Sequence, residues 1–258
     1  MILLSQLAGE EKILYSRFRD AINAARLKNQ MKFIGFLDIR QQEILKTTAL
    51  SEKFSSWRLF GGFPEAERKV AGFFPDYIDW EESSSSFFPV VPITARFREQ
   101  DKLSHRDFLG SLMSLRISRE MIGDILVGNG IAVFFVLNQA VSPILSEIKK
   151  VGQVGVHFEE GAKNLELVRP VITPLSGTVH SQRLDAVVSF LTRLSREKAQ
   201  ELIRQEWVKV DGQIRTDLAG MVEEKRHLSI RGYGKYVIYS FDGITKKGRL
   251  RIAAGHYQ

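Results

Sequence analysis

The chain has 258 residues, 44% hydrophobic and 26% charged, with 17 Phe, a composition that builds packed cores and excludes a disordered chain. It holds no Cys, which excludes disulfides, thiolate nucleophiles and thiolate metal sites. The net charge of +7 is local: residues 181–258 carry 15 Lys+Arg against 9 Asp+Glu, whereas residues 1–180 carry 22 against 21, so a polyanion partner is expected at one end of the molecule. Met-Ile-Leu-Leu followed by Ser5 and Gln6 lacks the basic start and long apolar run of a signal peptide. No window approaches the roughly 18 apolar residues of a membrane span, and a cytoplasmic protein is expected.

The length suggests two or three compact units. From Glu10 to Gln30, Ile13, Leu14, Phe18, Ala21, Ile22, Ala25 and Leu27 recur at helical spacing, and Gln41 to Ala49 reads as a shorter helix. Trp57 to Phe60 and Val70 to Phe74 read as strands beside the Gly61-Gly62 turn, which completes a mixed α/β domain over 1–82. Ser83 to Ser86 has linker composition.

Phe87 to Phe97 reads as a strand that tolerates Pro89 and Pro92 only at an edge or with a late start. Ser104 is an N-cap for a helix that places Phe108, Leu109, Leu112 and Leu115 on one side. Ile122 to Val127 and Ile131 to Leu137 flank Gly128-Asn129-Gly130, a hairpin signal. A helix over Pro143 to Lys150 and a strand over Val154 to Glu159 complete the order βαββαβ, which is the ferredoxin-like, RRM-like pattern, over 83–165. Phe134 and Phe135 point to opposite faces of their strand, one into the core; the other either stacks on a base, as in RNA-recognition sheets, or packs in the interior. Residues 166–180, with Pro170, Pro174 and Gly177, read as a strand leading into an extended connector.

The terminal unit, 181–258, opens with a helix over Leu184 to Leu191, and Ser195 caps a second from Arg196 to about Glu206. In the second helix Ala199, Leu202 and Ile203 form the buried stripe, and Arg196, Gln200 and Arg204 fall at i, i+4 and i+8 along one edge. Guanidinium groups there can each make two hydrogen bonds to one phosphate. Val208 to Val210 turns through Asp211-Gly212 and returns by Gln213, Ile214 and Arg215. His227 to Arg231 and Lys235 to Phe241 are strands joined by Gly232-Tyr233-Gly234, where Arg231, Tyr233 and Lys235 stand together.

The succession RLDAVVSFL, LSREKAQELIRQEWVKVDGQ and LSIRGYGKY resembles the RNA-binding domain named for small-subunit ribosomal protein S-four, over Ser181 to Phe241. Matches at Arg183, Ser195, Arg196, Lys198, Ala199, Val208 and Val210 imply that family's RNA-contacting helix pair, with phosphate contacts from Arg183, Arg196, Lys198, Arg204 and Lys209. Two positions depart from the pattern. Glu206 stands where Gly is usual, at a cost of about 1 kcal/mol if the turn is kept, and Lys225-Arg226 replaces an acidic Gly-Asp pair and adds positive charge. FGGFPEAERKVAGFFPD, SHRDFLGSLMSLRISREMIGDILV and RGYGK together resemble the YlmH family of bacterial S-four-domain proteins over nearly the whole chain. That resemblance implies an N-terminal α/β domain, an RRM-like middle domain and a terminal RNA-binding domain. It further implies binding to the large ribosomal subunit carrying peptidyl-tRNA in rescue of stalled translation, without catalysis.

The expected fold class is therefore α+β in three small domains, with the connector at 166–180. The candidate RNA-binding residues are Arg183, Arg193, Ser195, Arg196, Lys198, Arg204, Lys209, Arg215, Arg231, Tyr233 and Lys235. The expected partners are rRNA and tRNA, bound mainly through phosphates by a chain expected to be a monomer, and no cofactor or metal is expected. His105-Arg106-Asp107 lacks the Asn and Asp-Phe-Gly of a kinase and reads as a helix start, and Asp185, in Arg183-Leu184-Asp185, reads as a first-turn carboxylate rather than a pseudouridine-synthase aspartate. Five scattered His do not suggest zinc. Two alternatives stay open: an RNA-modifying enzyme with its site in the first two domains, and a protein-interaction adaptor acting through them.

Overall fold

The computed structural model describes residues 7–78, 82–169, 171–245 and 248–257, and the chain forms two compact units, residues 1–169 and 170–258. Expectations for the first six residues, for Pro170 and for Lys246 and Lys247 fall outside the described residues. The architecture is α+β, with every sheet antiparallel.

In the first unit, helix α1 (Gly9–Lys28) buries Leu14, Phe18, Ala21, Ile22, Ala24 and Ala25. Ile13 and Leu27, expected on the same stripe, are exposed, because at 3.6 residues per turn both fall on the side of the helix away from the buried arc of Leu14, Phe18, Ile22 and Ala25. Strand β1 (Lys32–Leu37) leads to α2 (Ile39–Ser51), which starts two residues earlier than expected because Asp38 and Gln41 form a capping box. Strands β2 (Trp57–Phe60) and β3 (Lys69–Phe73) complete a sheet of order β1-β3-β2. Its helix side is a core around Phe18, Ile44, Leu45 and Phe73.

The boundary expected at 82/83 lies inside this unit. Ser83 to Ser86 are not a free linker but part of a 3-10 turn, Glu82–Phe87, that runs into the second sheet. That sheet comprises β4 (Val90–Arg96), β5 (Ile122–Val127), β6 (Ile131–Leu137) and β9 (His157–Glu160), with α3 (His105–Ser114) and α4 (Asn138–Glu147) on one face and a small hairpin of β7 (Lys150–Val151) and β8 (Val154–Gly155) inserted before β9. The order β5-β6-β4-β9 is that of a βαββαβ ferredoxin-like sheet. Strand β4 starts late, after Pro89, yet it is central, so Pro92 lies within a sheet. The Pro92 carbonyl accepts from Gly161 N at 2.8 Å, and the side of Pro92 that lacks an N–H falls just past the last β4–β9 pair, Ile93 with Glu160. Helix α4 begins at Asn138 rather than Pro143, since Ala140, Val141 and Ile144 supply its buried face and Pro143 is carried inside it.

The face of this sheet that points away from α3 and α4 is covered by the first sheet. Phe36, Phe63, Val70, Phe74 and Phe88 pack on Ile131, Val133 and Phe135, and Phe63 stacks on Phe135 with centroids 5.1 Å apart. Phe134 faces the helices and Phe135 faces the first sheet, so both are core and neither is open to a base. The seam also carries polar links: Asp124 accepts from the backbone N–H of Glu67 and Arg68, and the Arg68 guanidinium donates to the Phe36 and Ile122 carbonyls. Burial raises Asp124 and lowers Arg119, the latter to about 10. Gly62, at φ +98°, sits so close to the seam that an added Cβ would lie 2.1 Å from Phe135 Cδ1. Gly62→Ala is expected to lower the stability of this unit by about 2 kcal/mol, through overpacking and backbone strain, read as a fall in the urea midpoint.

The second unit holds β10 (Ile172–Val179), α5 (Leu184–Thr192), α6 (Arg196–Arg204), β11 (Val208–Val210), β12 (Gln213–Ile214), β13 (His227–Ile230), β14 (Gly234–Ser240) and β15 (Leu250–Tyr257). The six strands form one sheet in the order β10-β15-β14-β13-β11-β12. Within the stretch read as a strand leading into an extended connector, residues 172–179 are the strand, β10, which pairs with β15 along its whole length and so belongs to this sheet. Helices α5 and α6 cover one face, meeting Val208, Leu228, Ile230, Tyr236, Ile238, Ile252 and Ala254.

Candidate nucleic-acid interface

The centre of the helix pair is a single carboxylate. Asp185, in the first turn of α5, is fully buried and receives a two-pronged contact from Arg183 (Nε to Oδ1 3.2 Å, Nη2 to Oδ2 3.3 Å) and another from Arg196 (Nε to Oδ2 3.0 Å, Nη2 to Oδ1 3.2 Å). Gln200 Nε2 donates to Oδ2 at 2.9 Å. Burial alone would raise the Asp185 pKa, but these hydrogen bonds outweigh it and hold the group well below the usual carboxylate range. Asp185 ties the start of α5 to α6, fixing both guanidinium planes while their outer edges stay in solvent, at 39% and 49% exposure. Each Arg has five N–H donors, so donors remain for a phosphate after Asp185 is satisfied.

Asp185 therefore does more than complement a helix dipole. Its sequence signal is an acid embedded among Leu184, Ala186, Val187 and Val188, where an unpaired charge would be too costly to keep. Gln200, on the expected Arg edge, faces Asp185 rather than solvent.

Around this centre, Ser195 Oγ accepts from Lys198 N at 3.3 Å and starts α6, and Arg193 closes α5 in the left-handed conformation. Arg193, Lys198 and Arg204 are exposed and form no ion pair among the described residues, so the helix pair presents positive charge to solvent beside the oriented Arg183 and Arg196. Glu206 does adopt the left-handed turn, φ 60°, that the usual Gly would occupy. Glu206→Gly is expected to stabilise the chain by about 1 kcal/mol and raise its melting temperature by a few degrees in calorimetry. Arg226 adds no net field, since its guanidinium is paired with Asp211 at 2.8 Å and with Glu223.

The other expected residues stand apart from the helix pair. Lys209, on β11, alternates with Val208 and Val210 and so projects from the sheet face opposite the helices, as does Lys235 on β14. Arg231 lies over the Trp207 ring at 5.1 Å, and Lys235 over the Tyr257 ring at 5.3 Å. Arg215 follows β12, exposed, its N–H donating to the Val208 carbonyl, and the Tyr233 carbonyl accepts from Tyr236 Oη. The eleven residues thus divide between the helix side, the outer sheet face and the intervening turns. Trp207 and Tyr257 were not among the expected residues. In unit 1, His105-Arg106-Asp107 begins α3, with the Asp107 carboxylate accepting from Ser104 N at 2.8 Å. Among the described residues no group of three His, Asp or Glu is placed to hold a metal, and no helix is long and apolar enough to cross a membrane.

Residues 93–164 match the family model described as a putative RNA-binding domain in YlmH, and residues 182–226 match the S4 domain. Ribosome-associated protein quality control protein P2 of Bacillus subtilis (strain 168) is 32% identical over 225 residues, covering 86% of each chain. The solved structure of cell division protein ylmH from Streptococcus pneumoniae shares the fold, with a TM-score of 0.51 at 19% identity, over 60% of this chain and 93% of its own. The S4 match spans the Asp185-centred helix pair, and the other RNA-binding model falls on the ferredoxin-like sheet. With that order of domains and an identity of 32% over most of both chains, this protein belongs to the YlmH family of S-four-domain RNA-binding proteins.

Proposed function

We propose that this protein binds rRNA and tRNA on the large ribosomal subunit while that subunit carries peptidyl-tRNA, and that it works there in ribosome-associated quality control by binding rather than catalysis. The observation that carries this reading is the helix pair, where Asp185 pre-orients Arg183 and Arg196 next to the exposed Arg193, Lys198 and Arg204. Fixed guanidinium forks suit the phosphates of folded RNA, and the binding they give is shape-selective and steeply salt-dependent. The ribosome and quality-control assignment draws on the name of the Bacillus subtilis relative. The middle domain's own sheet face is occupied by Phe63 and its neighbours, which favours RNA contact by that domain through other surfaces.

The test is co-sedimentation of the full chain with large subunits bearing peptidyl-tRNA, with empty large subunits and with small subunits. Preferential pelleting with the first supports the proposal. Equal or absent pelleting with all three overturns it.

A further inference from the structure

Strands β10 to β15 contain no Asp or Glu, and their three Lys and Arg residues, Lys209, Lys235 and Arg251, share one face. The side chains that face α5 and α6 fix the orientation, because Val208, Leu228, Tyr236, Ile252 and Ala254 all point to the helices and the alternate positions point away. On the outer face a cross-strand row runs from Lys209 to Ser229, Lys235 and Tyr257, each opposite the next. The His227 ring centroid lies 6.2 Å from that of Tyr257. Just beyond β11 and β13 the same alternation brings Trp207, 37% exposed, and Arg231 to this side, and the Arg231 N–H donates to the Trp207 carbonyl at 3.0 Å. Burial lowers Lys235 to about 8, a penalty that a nearby phosphate would reduce.

A cationic sheet with aromatic rings set between the cations and no carboxylate on its strands is complementary to a strand of nucleic acid whose bases are free to stack. A duplex, with its bases already stacked inside, would use the cations and leave the rings without a role. An acidic polypeptide would do the same.

We infer that the outer face of the terminal sheet is a second RNA surface, one that takes unpaired nucleotides by stacking bases on Trp207 and Tyr257 while Lys209, Arg231, Lys235 and Arg251 contact the phosphates. It is separate from the helix pair, and Arg231, Lys235, Arg251 and Tyr257 all lie beyond residue 226, where the S4 match ends. The inference rests on the proposal that the chain works on RNA, and adds the class of RNA that this face accepts.

The test measures anisotropy of a labelled short uridine oligonucleotide and of a labelled RNA hairpin duplex with the full chain, with poly-glutamate as competitor. Tyr257→Leu and Lys209→Ala are each expected to weaken oligonucleotide binding about tenfold, with duplex binding changed less than about twofold, while Tyr257→Phe keeps wild-type affinity. Lys209 is exposed, so its variant reports on binding even if Tyr257→Leu disturbs the sheet. Unchanged oligonucleotide binding in Lys209→Ala, equal losses on oligonucleotide and duplex, or competition by poly-glutamate as strong as by unlabelled oligonucleotide would each overturn the inference. If large subunits are bound but the oligonucleotide is not, this face fails and the ribosomal proposal stands. If the oligonucleotide binds as described but the three ribosomal particles pellet alike, the ribosomal proposal fails and this face stands.

Discussion

Asp185→Asn is expected to remove about 3 kcal/mol of stability and to weaken RNA binding with it. Five donor contacts converge on the wild-type carboxylate, and the amide can neither accept them all nor balance two guanidinium charges. The loss should sit at the lower end of the range for broken buried ion pairs, because Arg183 and Arg196 remain partly exposed and can recover water when released. The effect also has a pH signature. Asp185 has a folded pKa below its unfolded value near 3.9, so its contribution is complete above about pH 5 and declines as pH falls toward the folded pKa. Urea denaturation should therefore show a gap between wild type and variant that is constant from pH 5 to 8 and about 1 kcal/mol smaller at pH 3. A gap that does not shrink on acidification would mean that Asp185 acts through packing and not through charge. Lost orientation of the two guanidinium groups should weaken RNA binding even at temperatures where the variant is fully folded.

How far such residues can be read from sequence depends on what kind of order places them. The ferredoxin-like order was legible because β4, β5 and β6 are long, apolar and bounded by turn residues, and the α5–α6 pair was legible from Ser195 and the Ala199, Leu202, Ile203 stripe. Strand β1 was not, because both of its faces are covered, Ile34 and Leu37 by the helices and Phe36 by the second sheet, and this erases the period-two signal. Strand β15 was hidden by its Ala253-Ala254-Gly255 centre, poor in β-formers, although it is an interior strand with a neighbour on each side. The cations of the site were visible as a charge excess. Their division between two faces of one sheet was not, because it depends on where α5 and α6 pack, which is a tertiary fact. Arg196 shows the same limit: its position on the helix edge was correct, but its bond to a buried acid eleven residues earlier has no local trace.

That bond decides which arginines can be used to test the interface. Reversing Arg196 would set a new carboxylate against Asp185 and confuse unfolding with lost binding. Lys198 and Arg204 have no such role, so the double variant Lys198→Glu/Arg204→Glu is the informative one. Its effects on the helix nearly cancel. A carboxylate at position 198 stands three residues after the Ser195 cap, where it favours the helix start, and one at 204 is mildly unfavourable in the last turn. The fold should be retained, with a melting temperature within a few degrees of wild type. Binding should not survive, because two phosphate contacts are lost and two repulsions are added in a site whose affinity is mainly electrostatic, so affinity for rRNA and for large subunits is expected to fall at least about 100-fold at low salt. The slope of log affinity against log salt should become shallower by about 2, close to one unit for each phosphate no longer neutralised. A variant that still pellets with large subunits with the wild-type salt slope would move the interface away from the helix pair, leaving Asp185 as a purely structural centre.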